Sequence, residues 1–191
     1  PNLGRKNSKL HEAQLNISLL EPLGIKPEPE PDSLHSYYSF TKIKPLKDEL
    51  KALIDDGKFN LILHPKSHGS AREWSVYNFK KLIELLPPEN FKIFITGSPD
   101  EAQVLKEWIE TLPQHVVDLT GKLNLDQLIS FISNSDGLVA ASTGPLHIAA
   151  ACGIYTCGLF APIRPVHPDR WAPLGEKAEY LVIKKNCNDC E

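Results

Sequence analysis

The chain contains no methionine, so it carries no initiator, and it opens at Pro1 in a polar stretch without core character. That start reads as a processed chain or a piece of a longer one. Positive charge is not in excess: 21 Lys and Arg stand against 24 Asp and Glu, a net charge of −3. This balance excludes a nucleic-acid binder that relies on bulk positive charge. No apolar run approaches the ~18 residues of a membrane span, and no basic-then-apolar start resembles a signal peptide. Cysteine is scarce. Of the four, Cys152 and Cys157 lie in apolar segments, where a reduced thiol behaves as a small hydrophobe. This usage suits a reducing compartment such as the cytoplasm. Cys187 and Cys190 have CxxC spacing, but no second pair or histidine cluster accompanies them, which leaves little case for a metal. They read as surface thiols or as half of a motif. No G-x-G-x-x-G follows the first strand, which argues against a dinucleotide-dependent dehydrogenase.

What is present is an ordinary globular composition of 191 residues, 41% hydrophobic and 24% charged, enough for one α/β domain with extra segments. Residues 1–58 differ from the rest. Leu10 to Leu20 reads as a helix closed by Pro22 and Gly24. Lys26 to Asp32 alternates proline with charge and reads as an extended linker. Lys44 to Asp56 reads as an amphipathic helix with Leu46, Leu50, Leu53 and Ile54 on one face. From Phe59 the pattern becomes regular. Apolar strands are expected at Phe59–Leu63, Phe91–Thr96, Val116–Leu119, Gly137–Ala141, Thr156–Phe160 and Tyr180–Ile183. Helices alternate with them: Ser75 to Leu86, a segment opened by the capping box Ser98-Pro-Asp-Glu101 and running to Leu112, Leu125 to Ile132 capped by Asn124, and a short helix between Ala141 and Gly153. Pro145 is expected at its first position and Gly153 at its C-cap. Strands that are continuous apolar runs, alternating with helices, specify a parallel Rossmann-like α/β sheet with helices on both faces over 59–191.

Right-handed crossovers bring the strand-to-helix loops 64–74, 97–101, 120–124 and 141–145 to one sheet edge. Residues 64–74 carry Lys66, Ser67, Ser70 and Arg72, groups suited to phosphate oxygens or simply to a solvated basic loop. Glu101 is either a capping partner only or a carboxylate for ribose hydroxyls. Leu123 is either core or an apolar edge for a base. Ser142, Thr143, Gly144 and His147 surround a helix start at the end of a buried strand, either an ordinary strand-to-helix turn with a satisfied structural histidine or a geometry that suits a diphosphate. Gly144 admits close approach of a ligand to the backbone, and His147 leans back toward the helix N-terminus.

Together these loops resemble the C-terminal, nucleotide-binding half of glycosyltransferase family 9, the ADP-heptose:lipopolysaccharide heptosyltransferases. The resemblance covers roughly Phe59 to Tyr180. It rests on Ser-Thr-Gly-Pro-Leu-His-Ile-Ala-Ala-Ala at 142–151, His-Pro-Lys-Ser at 64–67, Ala-Arg-Glu-Trp at 71–74, Leu-Phe-Ala-Pro at 159–162 and His-Pro-Asp-Arg-Trp-Ala-Pro-Leu-Gly at 167–175. It implies one half of a GT-B architecture and an inverting sugar transfer without a bound metal or other cofactor. It implies that Lys66, Ser67, Arg72, Thr143, Gly144 and His147 bind the donor diphosphate, that Glu101 and Leu123 hold the nucleoside, and that Ser142 lies near the donor sugar. Characterised heptosyltransferases usually carry Asp at that last position, a departure that bears on the sugar and not on the diphosphate. The implied donor is a nucleotide-sugar of the ADP-heptose type and the implied acceptor a lipopolysaccharide-type glycolipid. Peripheral contact with the inner face of a bacterial inner membrane follows from such an acceptor. The family's general base lies in an N-terminal domain to which nothing here corresponds, so residues 1–58 are expected to be that domain's helical tail plus the linker. The alternative from the residues alone is a stand-alone nucleotide-binding or docking module without catalysis.

Overall fold

A computed structural model describes residues 8–25, 31–38, 40–163 and 166–182. Within them the apolar runs form β1 (Phe59–His64), β2 (Phe91–Ile95), β3 (Val116–Asp118), β4 (Gly137–Ala141), β5 (Tyr155–Phe160) and β6 (Ala178–Val182). All pair in parallel, in the order β3-β2-β1-β4-β5-β6. The intervening helices are α3 (Val76–Leu85), α4 (Pro99–Ile109), α5 (Leu125–Ser133), α6 (Gly144–Cys152) and the one-turn α7 (Pro168–Trp171). They are preceded by α1 (Glu12–Ser18) and α2 (Asp48–Lys51).

The period-2 alternation of each strand divides the core in two. Leu61, Leu63, Ile93 and Ile95 face one side, against Phe79 and Ile83 of α3. Ile62, Phe94, Leu138 and Ala140 face the other, against Phe131 and Ile132 of α5 and Leu146 and Ala149 of α6. A parallel sheet covered on both faces, as the strand composition implies, is what the chain builds.

The helix starts follow local chemistry. Ser98 and Glu101 close the expected capping box, with the Ser98 N–H donating to Glu101 Oε2 at 2.8 Å and the Glu101 N–H to Ser98 Oγ at 3.2 Å. Asn124 and Gln127 do the same for α5. Gly153 takes φ 73 at the C-cap of α6, the left-handed conformation a glycine there permits.

Several sequence expectations are corrected. The helix expected over Leu10–Leu20 is shorter: His11 caps it, and it ends at Ser18 before two 3-10 turns' worth of backbone bonds lead into Glu21–Leu23. The helix expected over Lys44–Asp56 shrinks to the single turn of α2. Its apolar residues Leu46, Leu50, Leu53 and Ile54 still pack on the α5–α6 side of the core, so the amphipathic spacing recorded burial and not helix length. Pro145 is the second residue of α6, because Gly144 already has helical backbone and Thr143 is the cap. The sixth strand starts two residues earlier than expected, at Ala178. Pro31 and Asp32 of the expected extended linker instead open a 3-10 helix, Pro31–Tyr37, while its residues 26–30, Ile183 and the Cys187/Cys190 pair lie outside the described residues.

Described residues before β1 are bound into the same fold. His11 Nδ1 accepts from the Ala13 N–H at 3.1 Å, so its proton sits on Nε2, which donates to the Ala172 carbonyl at 3.0 Å. Arg170 meets Glu12 Oε2 through Nε at 2.9 Å and Nη2 at 2.8 Å. This clasp joins α1 to α7.

Candidate functional site

The strand order contains a switch point. From β1 the chain passes through α3 to β2 on one side, while β4 leads through α6 to β5 on the other. In open α/β sheets the crevice outside the carboxyl ends of such a strand pair is the ligand site. Pairing of His64 with Ala140 sets the loop after β1 beside the β4–α6 junction. The other two loops are stitched alongside: the Thr96 N–H donates to the Leu63 carbonyl at 3.1 Å and the Gly121 N–H to the Gly97 carbonyl at 2.9 Å. Gly121 has φ 69, and a Cβ there would lie 3.2 Å from Pro99 Cα, so only glycine lets the β3–α5 loop sit this close to the start of α4.

On the β4–α6 side Thr143 is the N-cap, yet its side chain makes no capping bond. Thr143 is 7% exposed, and its Oγ1 is buried with no hydrogen-bond partner. Helices leave their first N–H groups unsatisfied and positive at this end. Gly144 is exposed, and a Cβ added to it would meet nothing within 4 Å. His147, in the first turn, is half-buried. Burial holds its imidazole below the ordinary 6.5, and the neighbouring His11 acts in the same direction. Ser142 is half-buried at the strand end.

Across the crevice the first loop is tied to itself. Ser67 is buried, and its N–H donates to Glu73 Oε1 at 2.8 Å. Its hydroxyl is within reach of Glu73 Oε1 (3.0 Å) and the Ala71 carbonyl (3.1 Å). Lys66 pairs with Glu73 Oε2. Arg72 is exposed. Burial alone would raise the Glu73 carboxyl, but hydrogen bonds from Lys66 and Ser67 overcome it and hold it below 4.5. At the base of the loop buried His64 bonds Thr96 Oγ1 through Nδ1 at 2.9 Å.

The nucleoside candidates sit further along the same edge. Glu101 is 7% exposed, and its Oε2 is committed to the capping box, so the structural reading of that residue is realised. Its charge also reaches His64. Leu123 is half-buried and packs on the α5–α6 core. The edge thus holds all nine sequence candidates, on four adjoining loops and the first turns of the helices that follow them. Among the described residues, no group of three His, Cys, Asp or Glu is placed to hold a metal, and no helix is long and apolar enough to cross a membrane. Cys152 and Cys157 are half-buried free thiols. Burial pushes Cys152 up to about 11 and raises Cys157 as well, with Glu179 adding to the second, so neither is a ready nucleophile.

Sequence reasoning missed two residues. Glu73 lies inside the Ala71–Trp74 run, and its one signal is a carboxylate six residues after Ser67 in an otherwise cationic loop. His11 was missed because its partner Ala172 is 161 residues away, although His-x-x-Gln at 11–14 does form a capping box.

These groups set an acid limit. Burial lowers the pKa of His11, His64 and His147 below 6.5. A group with a depressed folded pKa contributes stability above its unfolded pKa and loses it as pH falls through the folded value. Glu73 and Asp118, also lowered, act with the same sign at more acid pH. Urea midpoints should therefore be flat only between about pH 7 and 8 and should begin to fall near pH 6.5 on the acid side. An onset only near pH 4.5 would mean that the buried histidines contribute nothing.

The family model described as glycosyltransferase family 9 (heptosyltransferase) matches residues 14–191. Lipooligosaccharide heptosyltransferase 2 of Haemophilus influenzae is 32% identical over 119 residues, covering 60% of this chain and 34% of that protein. Lipopolysaccharide heptosyltransferase 3 of Escherichia coli is 28% identical over 171 residues, covering 87% of this chain and 47% of that protein. Among solved structures, a family 9 glycosyl transferase from Veillonella parvula superposes with a TM-score of 0.68 at 17% identity, covering 93% of this chain and 49% of that one. The E. coli heptosyltransferase WaaC with ADP gives 0.60 at 18% identity, covering 85% and 47%. These structural likenesses speak for the fold. The chain spans between a third and a half of the length of these relatives.

Proposed function

The chain belongs to glycosyltransferase family 9, and from that premise we propose that it forms the donor-binding half of a metal-independent, inverting glycosyltransferase. The donor is a nucleotide-sugar of the ADP-heptose type, and the acceptor is a lipopolysaccharide-type glycolipid. The observation that carries this reading is the buried, unpartnered hydroxyl of Thr143 at the open N-terminus of α6. A buried polar atom without a partner costs stability, and a diphosphate oxygen is the group that would satisfy it there.

On this reading Thr143, the backbone at Gly144 and His147 hold the diphosphate from α6, while Lys66, Ser67 and Arg72 hold it from the loop after β1. Glu101 offers its second carboxylate oxygen to the ribose, Leu123 borders the base, and Ser142 lies toward the sugar. The chemical contribution of these residues is to neutralise charge developing on the leaving diphosphate with groups fixed in advance. No general base is assigned. That role and the acceptor surface fall to the part of the relatives' length that this chain does not span, with residues 1–58 as the connection to it. Two of the similar proteins are named for lipooligosaccharide or lipopolysaccharide heptosyl transfer, and one solved relative is described with ADP. The work of such an enzyme is done in the cytoplasm, with membrane contact through the acceptor.

Calorimetry with ADP, UDP and ADP-heptose tests the assignment. Arg72→Ala and His147→Ala should each weaken ADP binding about tenfold, the effect of one lost charge-assisted contact. Absence of binding by any nucleoside diphosphate, or binding that neither substitution alters, would rule out the donor site as placed.

A further inference from the structure

The loop after β1 already holds an anion of its own. Lys66 ammonium, the Ser67 N–H and the Ser67 hydroxyl form the donor set that phosphate oxygens select: a cation, a backbone amide and a hydroxyl. Both oxygens of the Glu73 carboxylate occupy it, Oε2 on Lys66 and Oε1 on Ser67. Resting on the donor-site reading above, we propose that Glu73 is an internal placeholder for the donor's phosphate, holding the cradle in the empty protein and yielding it to the diphosphate.

Three features of the loop suit an exchange over a permanent brace. Glu73 is not sealed in: its side chain is 27% exposed and that of Lys66 24%, so the carboxylate can rotate out to water without opening the core. Ser67 has one hydroxyl proton and two acceptors within reach, Glu73 Oε1 and the Ala71 carbonyl, so it retains a partner while Glu73 leaves. The turn itself does not depend on Glu73, because the Ser70 N–H and hydroxyl both donate to the Ser67 carbonyl, at 2.9 and 2.7 Å. Burial opposes ionisation, but hydrogen bonds from Lys66 and Ser67 outweigh it and hold the carboxyl below its usual range, so the cradle remains filled at neutral pH.

The exchange has a consequence for selectivity. With Glu73 in place the crevice presents exposed Arg72 and the start of α6 but not the full cradle. A ligand must carry enough negative charge to outcompete a carboxylate, which favours a nucleoside diphosphate over a monophosphate. Removing the placeholder charge should raise affinity for both and narrow the difference between them.

The test is calorimetry of ADP and AMP with wild type and Glu73→Gln, an exchange that keeps the shape and removes the charge. Glu73→Gln should bind ADP about three- to fivefold more tightly, as loss of a partly exposed competing ion pair would give, with a larger gain for AMP. In the wild-type protein, ADP should also shift the side-chain carboxyl 13C resonance of Glu73, a readout that does not depend on the variant's folding. Weaker or equal ADP binding by Glu73→Gln, or an unmoved Glu73 resonance with ADP bound, overturns the placeholder while the donor site stands. No ADP binding by either protein overturns both.

Discussion

Thr143→Val is expected to stabilise the protein and to weaken its hold on ADP. The two effects come from one atom. Thr143 Oγ1 is buried without a partner, and an unsatisfied buried hydroxyl costs roughly 1–3 kcal/mol. Valine has the same shape without the hydroxyl. It also suits the extended backbone of this residue, φ −133 and ψ 166, where β-branched side chains are at ease. The usual loss of about 1 kcal/mol on removing an N-cap does not apply, because the threonine side chain caps nothing. The urea midpoint should therefore rise. In the complex the hydroxyl would donate to a charged phosphate oxygen, a bond worth about 1.5–3 kcal/mol, so ADP affinity should fall about 10- to 150-fold. A structural threonine would show the opposite pair: a lower midpoint and unchanged affinity. Measuring both on one preparation separates the readings.

Phe131→Ala should be among the most damaging single truncations in the core. Phe131 on α5 and Phe94 on β2 are both wholly buried and meet edge to face, 4.9 Å between centroids at 82°. Phe→Ala in such a site costs about 3–5 kcal/mol, from lost transfer energy and an unfilled cavity. Domains have about 5–15 kcal/mol of stability in all, so about a fifth of it or more would go. Because α5 lies against α6, the loosened wall is also the one that aims the site helix. Nucleotide affinity should drop along with the urea midpoint. An exposed control such as Val104→Ala, at a position 70% exposed, should change stability by less than about 0.5 kcal/mol. A Phe131→Ala midpoint close to that of the control would show that the two rings do not hold the layers together.

The fold was largely legible because its signals are local. Buried parallel strands are written as continuous apolar runs, and the caps at Ser98, Asn124 and Gly153 are decided within four residues of chain. The convergence of four loops at one edge followed from alternation and crossover handedness alone. What was not legible depends on partners far along the chain. Strand order, and with it the switch point between β1 and β4, is set by which apolar faces find each other. The amphipathic spacing of Leu46, Leu50, Leu53 and Ile54 was right about the buried face and wrong about the helix, since burial periodicity does not count turns. Within the site, residue types marked the loops, but the engagement of Ser67 and Lys66 by Glu73 required side-chain directions that no spacing supplies. Glu101 shows the limit from the other side: its capping role was readable and is realised, while the carboxyl oxygen left over is a matter for the ligand.

The clasp between α1 and α7 has a bearing on how the protein assembles. Glu12 and Arg170 are 158 residues apart. Closing a bare loop of that size costs about 2.4 kcal/mol more chain entropy than closing one of ten residues. Once the sheet has formed, the chain between them is already folded back on itself and most of that separation has vanished. The pair is thus cheap only for a chain whose strands have already paired. Assembly should run from the sheet outward, with α1 docking last, and unfolding should begin where assembly ends.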